Sequence, residues 1–409
     1  MKTSQLAILA GVTIVIGGLA YWSQQRSAPV LSATTTQGLL IPGLADKLND
    51  VATISLKKGK DTTTLRKVNG EWTIEEKSGY PATFENVKQL AVNLAALEKF
   101  EAKSNKPEHY KVLGVADPAP DNEVAAAIDL KASDNTPITS LIVGGTRGGF
   151  GNSPAEATVR IPGDPQVWQV RGTAVVNADP LSWLQRNIME IARDRVKRVT
   201  ITPSVSVQAA PVGPSVNAGS QLVLTRAAAD TPSFTVADVP AGRELTSPTA
   251  ADGIGAALSY VSLDDVKPAN FVKELAPTAT AEFHTFDGLV VKATTYSKDS
   301  AWYVTFSAAF EEPTPPANPV ESKTDAQKDP KSDVQPASAG KSRDEVNKEV
   351  AQINSKLGGW AFMLPEFKAK QLSNGMQDLL KPLEAPKEPA AAGPMPPTDP
   401  TTPSVIPQP

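Results

Sequence analysis

Leu6 to Trp22 is an apolar run without a single charged residue, and it constrains the chain more than any other stretch. A segment inside a bilayer must satisfy its own backbone polar groups, so a lone run of this kind crosses as a helix. At about 1.5 Å rise per residue it reaches roughly 25 Å, slightly short of a ~30 Å hydrocarbon core. Tyr21 and Trp22 close it where aromatic rings favour the membrane interface. The run is therefore a marginal membrane span or the apolar part of a signal peptide, and both place everything after Arg26 outside the cytoplasm. Gly18-Leu19-Ala20 fits a cleavage site loosely, whereas candidates ending at Ala28 and Ala33 carry Arg26 and Leu31 at the third position. The expectation is a short cytoplasmic N-terminus (residues 1–5) and an uncleaved single-pass anchor (6–22) contacting membrane lipid. Ala7, Ala10, Gly11, Gly17 and Gly18 would let two such helices approach closely, which puts a homodimer among the expected assemblies.

Composition then removes several function classes. The chain has 409 residues, enough for two ordinary domains and linkers. A formal charge of −4 argues against nucleic acid as a partner, since binding it normally needs a basic face. With no Cys there is no disulfide, no thiolate nucleophile, no thiolate metal site and no lipid-modified cysteine. His109 and His284 are the only imidazoles, so a constellation needing several is improbable. Pro clusters in two places, a mobile insert at 311–341 and a disordered tail at 382–409.

After a linker at 23–49, the body reads as strands and helices in a repeated order. Val51 to Lys57 alternates like a half-buried strand. Thr62 to Val68 and Trp72 to Glu75 form a hairpin through Asn69-Gly70. Thr83 is a candidate N-cap for a helix with an apolar face of Val87, Leu90, Ala91, Leu94 and Leu97, ending near Phe100. Pro107 opens a short helix through Tyr110 and Leu113. Strands follow at Val124–Leu130, Ile138–Val143, Ala157–Ile161 and Val167–Val170, then a short helix from Asp179-Pro180 carrying Trp183 and Leu184.

From Val196 the order begins again. Val196–Ile201 matches the first strand, and Gln221–Arg226 with Ser233–Val236 matches the hairpin across a loop at Pro203–Gly219. Ser247-Pro248 opens a helix with Ile254, Ala257, Leu258 and Val261 on one face. Ala281–Phe286, Leu289–Thr295 and Trp302–Ala308 are strands, and Arg343–Leu357 is a helix. Trp360 takes the place that Trp183 holds in the first copy. The fold class expected is α+β, two tandem duplicated units at 50–195 and 196–381, each of antiparallel strands with one main amphipathic helix.

Gly70-Glu71-Trp72 through Tyr80-Pro81-Ala82, the helix Val87–Phe100, and Pro107-Glu108-His109-Tyr110-Lys111-Val112-Leu113-Gly114-Val115 together resemble the bacterial domain-of-unknown-function family numbered 4340. The likeness covers Val51–Val199 and more loosely the rest to Leu380. It implies a membrane-anchored exported protein of the inner membrane, most of it periplasmic, associated with gliding-type or ABC-2-type transport components. No catalytic residues come with the resemblance.

Other motifs have stronger bland readings. Gly144-Gly145-Thr146-Arg147-Gly148-Gly149-Phe150-Gly151 lacks the Lys-Ser/Thr ending of a phosphate loop and reads as a hairpin connection. His109, between Glu108 and Tyr110, reads as a surface or capping residue, and His284 as a solvent-facing strand residue. Asp264-Asp265, with Glu274, lacks calcium-loop spacing and reads as a solvated helix end. Trp72, Trp168, Trp183, Trp302 and Trp360 fall in apolar patterns and read as core. The sequence therefore points to a non-enzymatic protein without catalytic, metal or cofactor residues. Its expected role is that of an accessory or scaffold subunit contacting an ABC-type permease or other envelope proteins. The alternative is a glycan- or peptidoglycan-binding module using exposed Trp residues.

Overall fold

The computed structural model describes residues 38–148, 154–204, 221–313 and 340–382. The apolar run at 6–22 lies outside them, as do residues 205–219 of the Pro203–Gly219 loop, most of 311–341 and nearly all of the tail. Among the described residues no helix is long and apolar enough to cross a membrane. The chain divides into two compact units between Gln185 and Arg186. Both are mostly antiparallel sheet with a few helices.

In the first unit the stretch expected to be linker is already folded from residue 38. Leu40 and Leu44 are buried, Leu40 donates its amide to the Leu97 carbonyl (2.7 Å), and Leu44–Lys47 forms the short helix α1. Then come β1 (Val51–Lys58), β2 (Asp61–Val68), β3 (Glu71–Ile74) and β4 (Tyr80–Pro81). Helix α2 (Phe84–Ala95) and β5 (Glu98–Ala102) follow, and β6 (Ala126–Ala132), β7 (Pro137–Arg147), β8 (Glu156–Arg160) and β9 (Val167–Arg171) complete the sheet. The strand order is β4-β3-β2-β1-β6-β7-β8-β9-β5. The Asn69-Gly70 turn forms as expected, both residues at positive φ (51° and 91°), the pairing that suits a two-residue hairpin. Inward residues of alternating strands, among them Ile54, Leu56, Leu65, Ile128, Leu130 and Val159, are essentially fully buried.

Helix α2 ends at Ala95 rather than near Phe100. Leu97 keeps the helical spacing, but Glu98–Ala102 pairs with β9 as an edge strand, and the ladder supplies the backbone bonds a further helical turn would have made. Thr83 sits at the N-cap position, yet its hydroxyl does not cap the helix and donates to the Leu184 carbonyl instead (2.9 Å).

The second unit runs β10 (Asn187–Met189), β11 (Val196–Pro203), β12 (Leu222–Thr225), β13 (Thr235–Val236), α3 (Asp252–Gly255), β14 (Val261–Ser262), β15 (Asp265–Pro268), β16 (Pro277–Thr285), β17 (Leu289–Lys298) and β18 (Ala301–Phe310). It closes with α4 (Arg343–Leu357), β19 (Trp360–Leu364), α5 (Glu366–Ser373) and α6 (Met376–Leu379). Its main sheet has the order β13-β12-β11-β16-β17-β18-β19-β15. The helix expected from Ser247-Pro248 is a single turn, and Val261, expected on its face, belongs to β14, which pairs with β10. Trp360 does not correspond to Trp183: it opens β19, whereas Trp183 ends a 3-10 turn after β9.

Stripped of β4, the first sheet has the order of the second, and the details agree. Ile54–Leu65–Ile74 align across β1, β2 and β3 as Val199–Leu224–Val236 do across β11, β12 and β13. A register shift falls between Val51 and Thr53 where β1 meets β6, and between Val196 and Arg198 where β11 meets β16. Each unit is also shut by its own last residues. In the first, Thr83 N donates to Trp183 O (2.8 Å) and Gln185 N to Pro81 O (3.2 Å), around an Ala82–Leu184 bridge. In the second, Thr246 N donates to Leu379 O (2.8 Å) and Lys381 N to Glu244 O (2.9 Å), around a Leu245–Leu380 bridge.

Candidate functional site: a groove on the second sheet

Both units place a short 3-10 turn just beyond β5 or β15, Pro107–His109 in one and Ala269–Val272 in the other. Each begins from the same local sequence, Lys106-Pro107-Glu108-His109-Tyr110 and Lys267-Pro268-Ala269-Asn270-Phe271. In both units the chain leaves the sheet near this Pro, which has no N–H to give a ladder, and folds over the sheet's face. In the first unit Tyr110 and Leu113 cover Val115, Ala125, Ile142 and Val167. In the second, Phe271 and Leu275 cover Val272, Tyr303 and Ala361.

The two faces then diverge. Leu56–Ile128–Leu141 form a buried row across β1, β6 and β7, and Ile201–Ala281–Ala293 form the corresponding row across β11, β16 and β17. One residue further along, Ile142 lies opposite Arg160 in the first unit, whereas Thr294 lies opposite Thr305 in the second. Arg160 is 8% exposed; its guanidinium lies under the Tyr110 ring (4.5 Å), donates through Nε to Val115 O (3.1 Å) and pairs with Asp117. Gly144, beside it, supports the segment directly: a Cβ there would lie 2.8 Å from Gly114 O. That place on the first sheet is plugged.

On the second sheet it is open. A groove of about 490 Å3 is lined by Asn270, Val272 and Lys273 on one side, by Lys292, Thr294, Tyr296, Thr305 and Ser307 on its floor, and by Gly358 at the end of α4. Helix α4 lies in the β18–β19 connection, which in the first unit (β8–β9) is only a short turn. Arg343–Leu357 is held by a capping box from Ser342 and Glu345 and by Asn354, whose amide both accepts from Ala308 N and donates to Ala308 O (2.8 Å each). Lys292 stands 3.5 Å from Glu282, while Lys273 has no carboxylate within ion-pair distance among the described residues. Such a floor of hydroxyls, one ring and flanking cations can bind and orient a polar ligand.

A second, smaller cavity of about 110 Å3 surrounds His284. His284 is not the solvent-facing residue expected: its side chain is only 16% exposed, with Nδ1 2.9 Å from Glu311 and Nε2 3.3 Å from the Arg198 guanidinium. Burial and then the Arg198 charge hold its pKa below the usual histidine value, so the neutral ring donating from Nδ1 and accepting at Nε2 fits both neighbours.

The remaining sequence candidates are scattered. His109 Nδ1 meets the Ser104 hydroxyl at 2.8 Å, far along the chain from any other candidate. Asp265 is a strand residue of β15 rather than a helix end, and it accepts from the Val266 amide. Gly144–Arg147 belong to β7 and lead toward β8, a hairpin, while Gly149–Gly151 lie outside the described residues. Trp72 and Trp183 are buried, and none of the Trp residues named lines either cavity. Sequence reasoning missed the groove, although the recurring Lys-Pro-x-x-aromatic signal was there to mark one of its walls.

A family model, Domain of unknown function (DUF4340), matches residues 72–282, more than half of the chain. The chain belongs to that family. The DUF4340 match runs from β3 of the first unit into β16 of the second, so it holds the plug of the first sheet whole but only the Asn270–Lys273 wall of the groove. Comparison with curated proteins and with solved structures gave no match.

Proposed function

We propose that this protein is a non-catalytic, membrane-anchored envelope protein, an accessory or scaffold subunit of an ABC-type transport or gliding-like complex that works through protein–protein contacts. The observation that carries the reading is the repetition of one architecture. Equal strand order, the same register shift at the start of β1 and β11, and the same terminal clasp support descent of the two units from one duplicated unit. Repetition places two like modules on one chain, which serves assembly. The residues of the DUF4340 segment support the same view, since Tyr110, Arg160 and Asp117 are engaged with one another rather than with an open cleft. Residues 6–22 supply the membrane attachment in this reading. Crosslinking in intact cells followed by purification of the full-length membrane-bound protein tests it. Recovery of a permease or its accessory subunits is the expected outcome; a specific turnover by the purified protein, abolished by a point substitution, would defeat the proposal.

A further inference from the structure

We propose that the groove of the second unit binds an extended acidic oligosaccharide, a sugar chain carrying carboxylates. This goes beyond the scaffold reading and stands without it.

The floor is the first argument. Thr202, Thr280, Thr294 and Thr305 face one another in register across β11, β16, β17 and β18, a row of hydroxyls stepping at the strand spacing of about 4.8 Å. That step is comparable to one pyranose unit of an extended chain. The row enters the groove at Thr294 and Thr305, where Ser307, Tyr296 and the Asn270 amide add further donors and acceptors. A hydroxyl both donates and accepts, so a lining of hydroxyls and an amide matches a ligand of the same kind. A peptide strand is the poorer fit, because β16 and β17 are paired on both sides and offer no free ladder edge beneath the row.

The charge is the second argument. Lys273 and Lys292 flank the hydroxyl floor, and Glu282, the acid beside Lys292, lies outside the lining. A uronic acid residue can pair with Lys273, which has no carboxylate partner among the described residues, and a neutral sugar cannot.

The third argument is the comparison with the other unit. The same place on the first sheet is closed by Ile142, Arg160 and Tyr110, so the common architecture does not require an opening there. Two threonines and the helix in the β18–β19 connection make the groove in the second unit alone. Tyr296, half-buried on the floor, offers one ring to the flat face of a sugar.

The test uses the full-length protein and a defined oligogalacturonate, with a malto-oligosaccharide and inorganic phosphate as comparison probes, read by calorimetry. The expected result is binding of the oligogalacturonate in preference to both. Lys273→Gln should weaken it about tenfold, the worth of one charge-assisted contact. Thr294→Ile, which installs the residue of the plugged unit, should abolish it. Lys348→Gln, which removes the same charge from elsewhere on the surface, should leave it unchanged. Melting curves of all three variants check that the fold is kept. Failure of the wild-type protein to bind the oligogalacturonate overturns the proposal. So does equal weakening by Lys348→Gln, or binding of phosphate as tight as that of the sugar, which would mark a bare anion site.

Discussion

Arg195 grips Glu349 through two parallel hydrogen bonds of 3.0 Å, joining the turn before β11 to the middle of α4. The same guanidinium donates from Nε to Asp287 at 3.1 Å, and Lys341 reaches Glu349 at 2.8 Å. Burial alone would push the Glu349 carboxyl upward, but the Arg195 and Lys341 bonds outweigh it and hold it below its ordinary 4.5. The folded pKa is thus lower than the unfolded one. The pair's contribution is complete above about pH 4.5 and is lost as pH falls through the lowered value. Glu349→Ala should cost about 2 kcal/mol at neutral pH, because Arg195 loses two charge-assisted bonds and keeps Asp287 alone as its carboxylate partner. Chemical denaturation at neutral pH and below pH 4 measures both effects, and a variant that loses nothing at neutral pH would refute the assignment.

The chain leaves β18 and returns to α4 at one place. Glu311 N donates to Gly288 O (2.9 Å), and Glu312 on the outgoing side lies 3.6 Å from Arg343 on the returning side. Replacing residues 314–339 with a short Gly/Ser connector should therefore change the stability of the second unit by less than about 1 kcal/mol, since closure entropy varies slowly with loop length. A drop of several degrees in the melting transition of that unit would refute this.

Gly144→Ala should destabilise the first unit by about 2 kcal/mol, the usual penalty for forcing a methyl into a filled space. Its Cβ would lie 2.8 Å from Gly114 O and 3.1 Å from Leu113 O, both backbone atoms that cannot swing aside. Gly145→Ala, with open space around its Cβ, is the matched control and should cost far less.

Lys368 is 9% exposed, and its ammonium donates to the Ala257 carbonyl at 3.0 Å. Burial lowers its pKa below 10.5, so between the folded and unfolded values the unfolded chain holds a proton that the folded chain does not. Stability should accordingly rise with pH through that window. Lys368→Met should remove the rise, and an unchanged alkaline profile would count against the buried charge.

Much of this architecture was readable from local chemistry. The Asn69-Gly70 turn, most strands of the first sheet and helix Arg343–Leu357 follow from patterns a few residues long. The errors arose where distant segments decide. Glu98–Ala102 continues a helical pattern until β9 captures it, and Val261 keeps helical spacing but pairs with Met189. The linker assigned to 23–49 overlooked Leu40 and Leu44, whose burial depends on Leu97 and the core, far along the chain.

The likeness of the two units was readable in part. Ala95-Ala96-Leu97 and Ala256-Ala257-Leu258 each precede a Lys-Pro by the same distance, and Trp72-Thr73-Ile74 answers Phe234-Thr235-Val236. The groove was not. It depends on Thr294 facing Thr305 and on where α4 returns to the sheet, and neither register nor return point is written in a short window.

The terminal clasps also set the order in which the protein can be finished during synthesis. The first unit cannot close over Pro81–Thr83 until Gln185 has left the ribosome, and the second waits until Lys381 does. Each unit is therefore completed late relative to its own sheet but independently of the other. A nascent chain held once Gln185 has emerged would carry one finished unit and a second still incomplete.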